Sequence, residues 1–249
     1  MKSLIILTII SQLLFSATPG QVERYLSISN AEEELLELES QFSIMQNNFQ
    51  ASDTNTSEEK ETYDMQMLSI RFREYIQTNL SEDEMEEILQ NYKNIILLQF
   101  ISASSNSDSD PKEVDRYVKT LKEDPEAQVR MDLVEKISKE LNHKESMVLM
   151  FDNLIKPLMQ AAPGGKDLDA NYMKKSRENY LKDMMEKANK ETLFASKDFT
   201  MEELEELLKI AQTPAMDHEM KAVYGGMAYA LKEFFLSLAS KYDISKHQR

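Results

Sequence analysis

Apolar residues recur at three- and four-residue steps along most of this chain, and that spacing confines it to helices. Met85, Ile88, Leu89, Tyr92, Ile95 and Ile96 follow the pattern, as do Met201, Leu204, Leu207, Leu208 and Ala211. Met131, Val134, Ile137 and Leu141 make a third stripe, and Met173, Tyr180, Leu181, Met184 and Ala188 a fourth. Residues three or four apart share one face of an α-helix, so each stripe marks a face to be buried. No stretch shows the sustained apolar–polar alternation of a half-buried strand. Only 5 Gly and 6 Pro in 249 residues leave few turns for a β architecture, and Glu, Leu, Lys and Met lose little on entering a helix. The expected fold class is all-α. The run Ile95–Ile101 (IILLQFI) fits a strand or a buried helix by pattern alone, and reads as the end of a helix begun at Ser81, because no breaker separates them.

One phrase occurs twice. LSEDEMEEIL spans Leu80–Leu89 and FTMEELEELL spans Phe199–Leu208, so the second copy begins 119 positions after the first (199 − 80). Ser81 is followed three residues on by Glu84, and Thr200 three on by Glu203. Each pair is a capping box: the hydroxyl accepts from the N–H of the third helical residue, and the Glu reaches back to the cap. Glu82, Asp83 and Glu202 add negative charge where the helix dipole favours it. Helix initiation thus accounts for these carboxylates without catalysis. Ser29 with Glu32 repeats the spacing.

Upstream of the two phrases lie RYLSISNAEEELLELESQFSIMQNNF from Arg24 and RMDLVEKISKELNHKESMVLMFDNLI from Arg130. Each opens on Arg and runs an apolar stripe to a Met near its end. The expected organisation is two divergent copies of a helical-bundle module, residues 21–110 and residues 111–249, behind an export segment at residues 1–20. The polar clusters Ala51–Glu59 and Ser102–Pro111 read as linkers, as does the Pro/Gly cluster Ala161–Asp167.

The export segment has the layout of a secretory signal peptide: Lys2, an apolar stretch from Leu4 to Phe15, then Ser16, Ala17, Thr18 and Gly20. The apolar stretch is shorter than the roughly 20 residues of a membrane span. Ala222–Ala239 comes nearest to a second one, but Lys232 and Glu233 lie inside it. The expectation is a periplasmic or secreted protein with no stable membrane insertion after cleavage. With 0 Cys, disulfides, thiol catalysis and a lipid-modified cysteine are excluded. A formal net charge of −15 repels phosphate backbones and anionic headgroups, which argues against nucleic acid as a partner.

No G-x-S-x-G, P-loop or dinucleotide fingerprint is present. Glu140 and His143 form a single E-x-x-H, where a di-metal bundle needs two such pairs; a solvated helix end is the expectation there. MDHEM places Met216, His218 and Met220 within five residues, a soft-ligand set suited to Cu(I). Met216 and Met220 are one helical turn apart, while His218 points to another side. Thr213-Pro214 reads as a cap followed by Pro at the first helical position. In the helix that follows, Ala222, Gly226 and Ala230 recur every four residues, a face that lets another helix approach closely in the core or in self-association. Gly225-Gly226 is also a candidate kink.

An export signal, an Arg-led amphipathic helix, a Phe-Thr-acid-acid-Leu phrase and a Thr-Pro step into a last helix come in this order. In that order the chain resembles the bacterial exported domain-of-unknown-function family numbered 2059. Residues 128–225 carry the likeness, through Phe199, Thr200, Glu202, Glu203, Leu204, Leu207 and Thr213-Pro214. The chain departs from the family's phrase at Ile210-Ala211, where an aromatic pair is usual, and at Met216, where a Gly is usual. In the first half Asn94-Ile95 stands in place of the Ser/Thr-Pro step. The resemblance implies an all-helical periplasmic protein and supplies no activity. The functional expectation is a non-enzymatic exported protein, without a cofactor, that binds another protein or polypeptide; the alternative is copper-type metal binding through Met216, His218 and Met220.

Overall fold

The computed structural model describes residues 16–33, 35–36, 65–105, 110–161 and 169–241. The apolar part of the export segment, the linker at 51–59 and most of the cluster at 161–167 lie outside the described residues. Among the described residues there are eleven α-helices and no strand, so the fold is all-α.

Thr18 starts α1 (Pro19–Ser29). Its hydroxyl accepts from Gln21 N–H, the Gln21 side chain answers at Thr18 N–H, and Pro19 takes the position where a missing N–H costs nothing. Residues 16–20 are therefore built into the fold. Ser16 makes an isolated antiparallel bridge with Ser81, and Ala17, 1% exposed, donates its N–H to Leu80 O at 2.8 Å. The first half continues with α2 (Met65–Asn79), α3 (Glu82–Asn91) and α4 (Ile95–Ser105). The second half runs α5 (Pro111–Glu123), a 3-10 turn, α6 (Gln128–Leu141), α7 (Lys144–Met150), a π-helical turn, α8 (Lys156–Ala161), α9 (Ala170–Ala195), α10 (Met201–Ala211) and α11 (Pro214–Lys241).

Both repeated phrases start helices through complete capping boxes, Ser81 with Glu84 and Thr200 with Glu203. The helices that follow keep the same spacing: α3 and α10 begin 119 residues apart (201 − 82), and so do α4 and α11 (214 − 95). IILLQFI is helical, but it does not continue α3. Asn94 breaks the chain between them, its Oδ1 accepting from Ile96 N–H at 2.8 Å. A short side-chain acceptor competes with the backbone in this way and favours a cap over a helix interior. Ile95, the first residue of the new helix, is accordingly 62% exposed rather than buried. Its counterpart at the 119-residue spacing is Pro214, preceded by Thr213, whose hydroxyl receives Met216 N–H at 3.4 Å.

Ser29 and Glu32 form no capping box. Ser29 is the last residue of α1, and Asn30 turns the chain through the left-handed region (φ 59°), which Asn tolerates better than other side chains. Glu32 is drawn instead to α2, where Arg73 grips it with both forks, Nε–Oε1 at 3.0 Å and Nη2–Oε2 at 2.6 Å. Burial raises the Glu32 pKa, but hydrogen bonds from Arg73 and Ser69 and the Arg73 charge hold it below the usual carboxylate range.

One core cluster draws on both halves, from Ala17 to Leu231. α1 packs on α2 and α3, and α6 packs on α9 and α10. α4 packs on α9 and α10 of the second half, while α11 packs on α2 and α3 of the first as well as on α7. The α2–α11 approach needs glycine. A Cβ on Gly226 would stand 2.8 Å from the Phe72 ring, and one on Gly225 would collide with the Tyr75 hydroxyl. α11 runs unbroken through both glycines. Ala222 and Ala230 are buried too, so the small-residue face lies inside the chain. No helix among the described residues is long and apolar enough to cross a membrane.

Candidate functional site

Three consecutive polar residues near the start of α11 each reach a different part of the fold. Asp217 sits in the first turn, where the dipole favours a carboxylate. It accepts from Lys221 at 2.7 Å and lies 3.0 Å from His143 Nδ1 at the α6–α7 corner. His218 places Nδ1 3.1 Å from Glu84 Oε1 at the start of α3. Glu219 is 1% exposed, and its Oε1 accepts from Tyr25 Oη at 2.8 Å and Tyr92 Oη at 2.5 Å. The two tyrosine rings meet edge to face, with centroids 5.9 Å apart and planes at 86°. A carboxyl this deeply buried needs strong donors, and the two hydroxyls, from α1 and the end of α3, supply them.

The electrostatics follow from these contacts. Hydrogen bonding from the Ser81 backbone is the chief cause that holds Glu84 below the usual carboxylate range; burial opposes it, and the Ser81 hydroxyl and His218 add to it. Burial pushes Asp217 up, yet the Lys221 hydrogen bond and the charges of Lys221, His143 and His218 carry it below its ordinary value.

The structure sorts the MDHEM residues into two surroundings. Met216 is 2% exposed in the core, and Met220 is half-buried against the same core. His218, with its side chain 39% exposed, faces Glu84. Helical register explains the split: the two methionines share a side that their histidine does not. Glu140 and His143 are not a solvated helix end. The His143 side chain is only 19% exposed, with Nε2 3.8 Å from Glu140 Oε2 and Nδ1 turned to Asp217. Among the described residues, no group of three or more His, Cys, Asp or Glu stands ready to hold a metal ion.

Ser81, Glu84 and His218 are the set closest to hydrolytic machinery. Ser81 Oγ donates to Glu84 Oε2 at 2.8 Å, and the other Glu84 oxygen faces His218. A catalytic triad requires the histidine between the serine and the acid. Here the acid stands in the middle, so the imidazole cannot take the hydroxyl proton and the arrangement is a cap tied to a neighbouring helix.

Arg130 is a further anchor. Nη1 donates to Phe199 O at 2.7 Å and Nη2 to Ser196 O, fastening α6 to the turn before α10. Glu219 was hidden in the sequence, although a signal existed. It occupies the buried register of Ala215, Met216, Ala222, Val223 and Gly226, where an acid is out of place. No family model, curated protein or solved structure matches this chain.

Proposed function

We propose that this chain is an exported, non-enzymatic helical protein that binds another polypeptide, and that the occupant is a basic amphipathic helix lying along the outer face of α2. The observation that carries this reading is the wrong-way apolarity of α2. Leu68, Phe72 and Ile76 are fully buried on its inner face, yet Met67 and Ile70 on its outer side are 40% and 45% exposed. Tyr229, 49% exposed on α11, packs on Tyr75 of α2 with ring centroids 5.7 Å apart. A helix with apolar residues on its solvent side is suited to a second helix laid against it.

The net charge of −15 selects a basic partner and speeds its encounter. Export and a periplasmic setting rest on the segment at residues 1–20 and on the resemblance to family 2059. Because Ser16, Ala17 and Thr18 take part in the fold, cleavage on this reading falls before Ser16.

The chain has 0 Trp, so a peptide carrying one Trp is a clean reporter. A Lys/Leu amphipathic peptide with a central Trp should show saturable, blue-shifted emission on titration. Met67→Glu/Ile70→Glu should weaken it by at least tenfold with circular dichroism unchanged, matching the loss of a small apolar anchor of about 1.4 kcal/mol or more. Emission that does not saturate, or that the double variant leaves intact, defeats the proposal.

A further inference from the structure

We infer that the chain is two like units, joined end to end, that have exchanged their last helices. The face formed by α2 and α3 is a socket for α11, and the face formed by α9 and α10 is the equivalent socket for α4. Two observations meet here, the 119-residue offset and the crossing of the chain. The offset pairs α3 with α10 and α4 with α11. Chain order then pairs α2 with α9, the helix before each repeated phrase, and α1 with α6, the helix that carries Arg24 or Arg130.

Under that pairing the same packing occurs twice. In the first unit α1 lies on α2 and α3, and in the second α6 lies on α9 and α10. Leu80 O is held from the residue just before the α1 cap, by Ala17 N–H at 2.8 Å, and Phe199 O is held from α6, by Arg130 at 2.7 Å. The fourth helix is where the units trade. Helices joined by a short step usually pack side by side. Here the step at Asn94 sends α4 onto α9 and α10, and the step at Thr213 sends α11 onto α2 and α3. A crossing that runs in both directions between matching elements is what an exchange between equals produces, as in dimers that trade one identical element. α11 rests in addition on α6, α7 and α8 of its own unit; its 28 residues, against 11 in α4, give it the reach for both.

The two steps also adjoin. Asn91 Nδ2, at the end of α3, donates to Thr213 Oγ1 at 2.9 Å, and Asn94 Nδ2 donates to Glu206 Oε1 of α10 at 2.7 Å. Each phrase helix therefore holds the other unit's step, the reciprocity expected where two equivalent crossings meet. Both sockets are shaped to their helix. Phe100 of α4 meets Phe199 edge to face, with centroids 6.4 Å apart and planes at 84°. Gly226 of α11 lies so close to α2 that a Cβ there would stand 2.8 Å from the Phe72 ring. The link between α4 and α5 belongs to neither socket. Cutting it leaves two fragments, each holding the last helix of the other.

The test places a specific protease site between Ser105 and Asp110 of the full chain, with circular dichroism of the uncut protein as the reference for folding. After cleavage the two fragments should sediment as one particle at micromolar concentration and part only in denaturant. Phe100→Ala removes an anchor of α4 and should weaken the association of the cut protein at least about tenfold. Gly226→Ala favours α11 as a helix but crowds Phe72, and should weaken it about fivefold. Ile95→Pro gives α4 the first residue of α11, at a position where a missing N–H costs nothing, and should change the association by less than about twofold. Fragments that separate on cutting overturn the inference. So does an association that Phe100→Ala or Gly226→Ala leaves unchanged, because docking in one direction is not exchange. Dissociation caused by Ile95→Pro overturns it as well, since the two steps would then not be equivalent.

Discussion

At Leu80 and at Phe199 the chain makes a similar turn into a similar helix, but the carbonyl at each turn is held by a different donor. Leu80 O takes the backbone N–H of Ala17 at 2.8 Å, and Phe199 O takes the guanidinium of Arg130 at 2.7 Å. The two capping acids differ in the same way. Glu203 serves Thr200, whereas Glu84 serves Ser81 with one oxygen and faces His218 of α11 with the other. The first corner is tied through the backbone and through His218 and Glu219, so it is woven into the rest of the core. At the second, one long side chain holds the turn carbonyls, beside the edge-to-face packing of Phe199 on Phe100. A shared local design therefore says little about how firmly each copy is fastened; the tertiary ties decide that.

The largest expected effect falls on the first corner. Glu219→Ala removes the acceptor that both Tyr25 and Tyr92 use, and should cost about 3 kcal/mol in chemical denaturation followed by circular dichroism. A cost near that of an ordinary surface change would mean that the corner is held otherwise. Next is Arg130→Ala, which strips a charged donor from Phe199 O and Ser196 O and should cost about 2 kcal/mol. Amide exchange should accelerate around residues 196–203 while residues 80–85 keep their protection. Equal loosening at both corners would break the comparison.

The smallest effect concerns acid. Glu84, Asp217 and Glu32 all have pKa values lowered in the folded protein. Their stabilisation is present above the unfolded carboxylate pKa, about 4, and is lost as pH falls through the folded values. Glu84→Gln keeps a capping-box side chain and removes the charge. It should lower stability at pH 7 by about 0.5 kcal/mol, in keeping with its partial exposure, and flatten the acid limb of the stability curve. An acid limb in Glu84→Gln as steep as the parent's would remove this carboxylate from the account.

Helix content and the buried faces were legible because apolar spacing and hydroxyl-x-x-Glu caps are local signals. Leu204, Leu207, Met85, Ile88 and Val134 are buried as their register requires. The break at Asn94 was less visible, since an Asn without a neighbouring Pro or Gly is a weak stop; alignment with Thr213 at the 119-residue spacing was the available clue. Glu32 shows the limit of local grammar, because its spacing from Ser29 matched a cap while Arg73, 41 residues away, offered a stronger partner. The polar set at 217–219 depended on partners up to 194 residues away, Tyr25 being the farthest, and no local pattern encodes that distance.

The crossing of α4 onto the second half and of α11 onto the first also governs the order of events during synthesis. α2 exposes Phe72 until α11, which begins 142 residues further on (214 − 72), is made and covers it. Neither half has a complete interior by itself, so the chain cannot close its fold in stages from the amino end. Long separations between partners slow closure and lengthen the interval in which apolar surface is open to solvent and to chaperones. A nascent chain still lacking α11 holds a set of helices waiting for their lid.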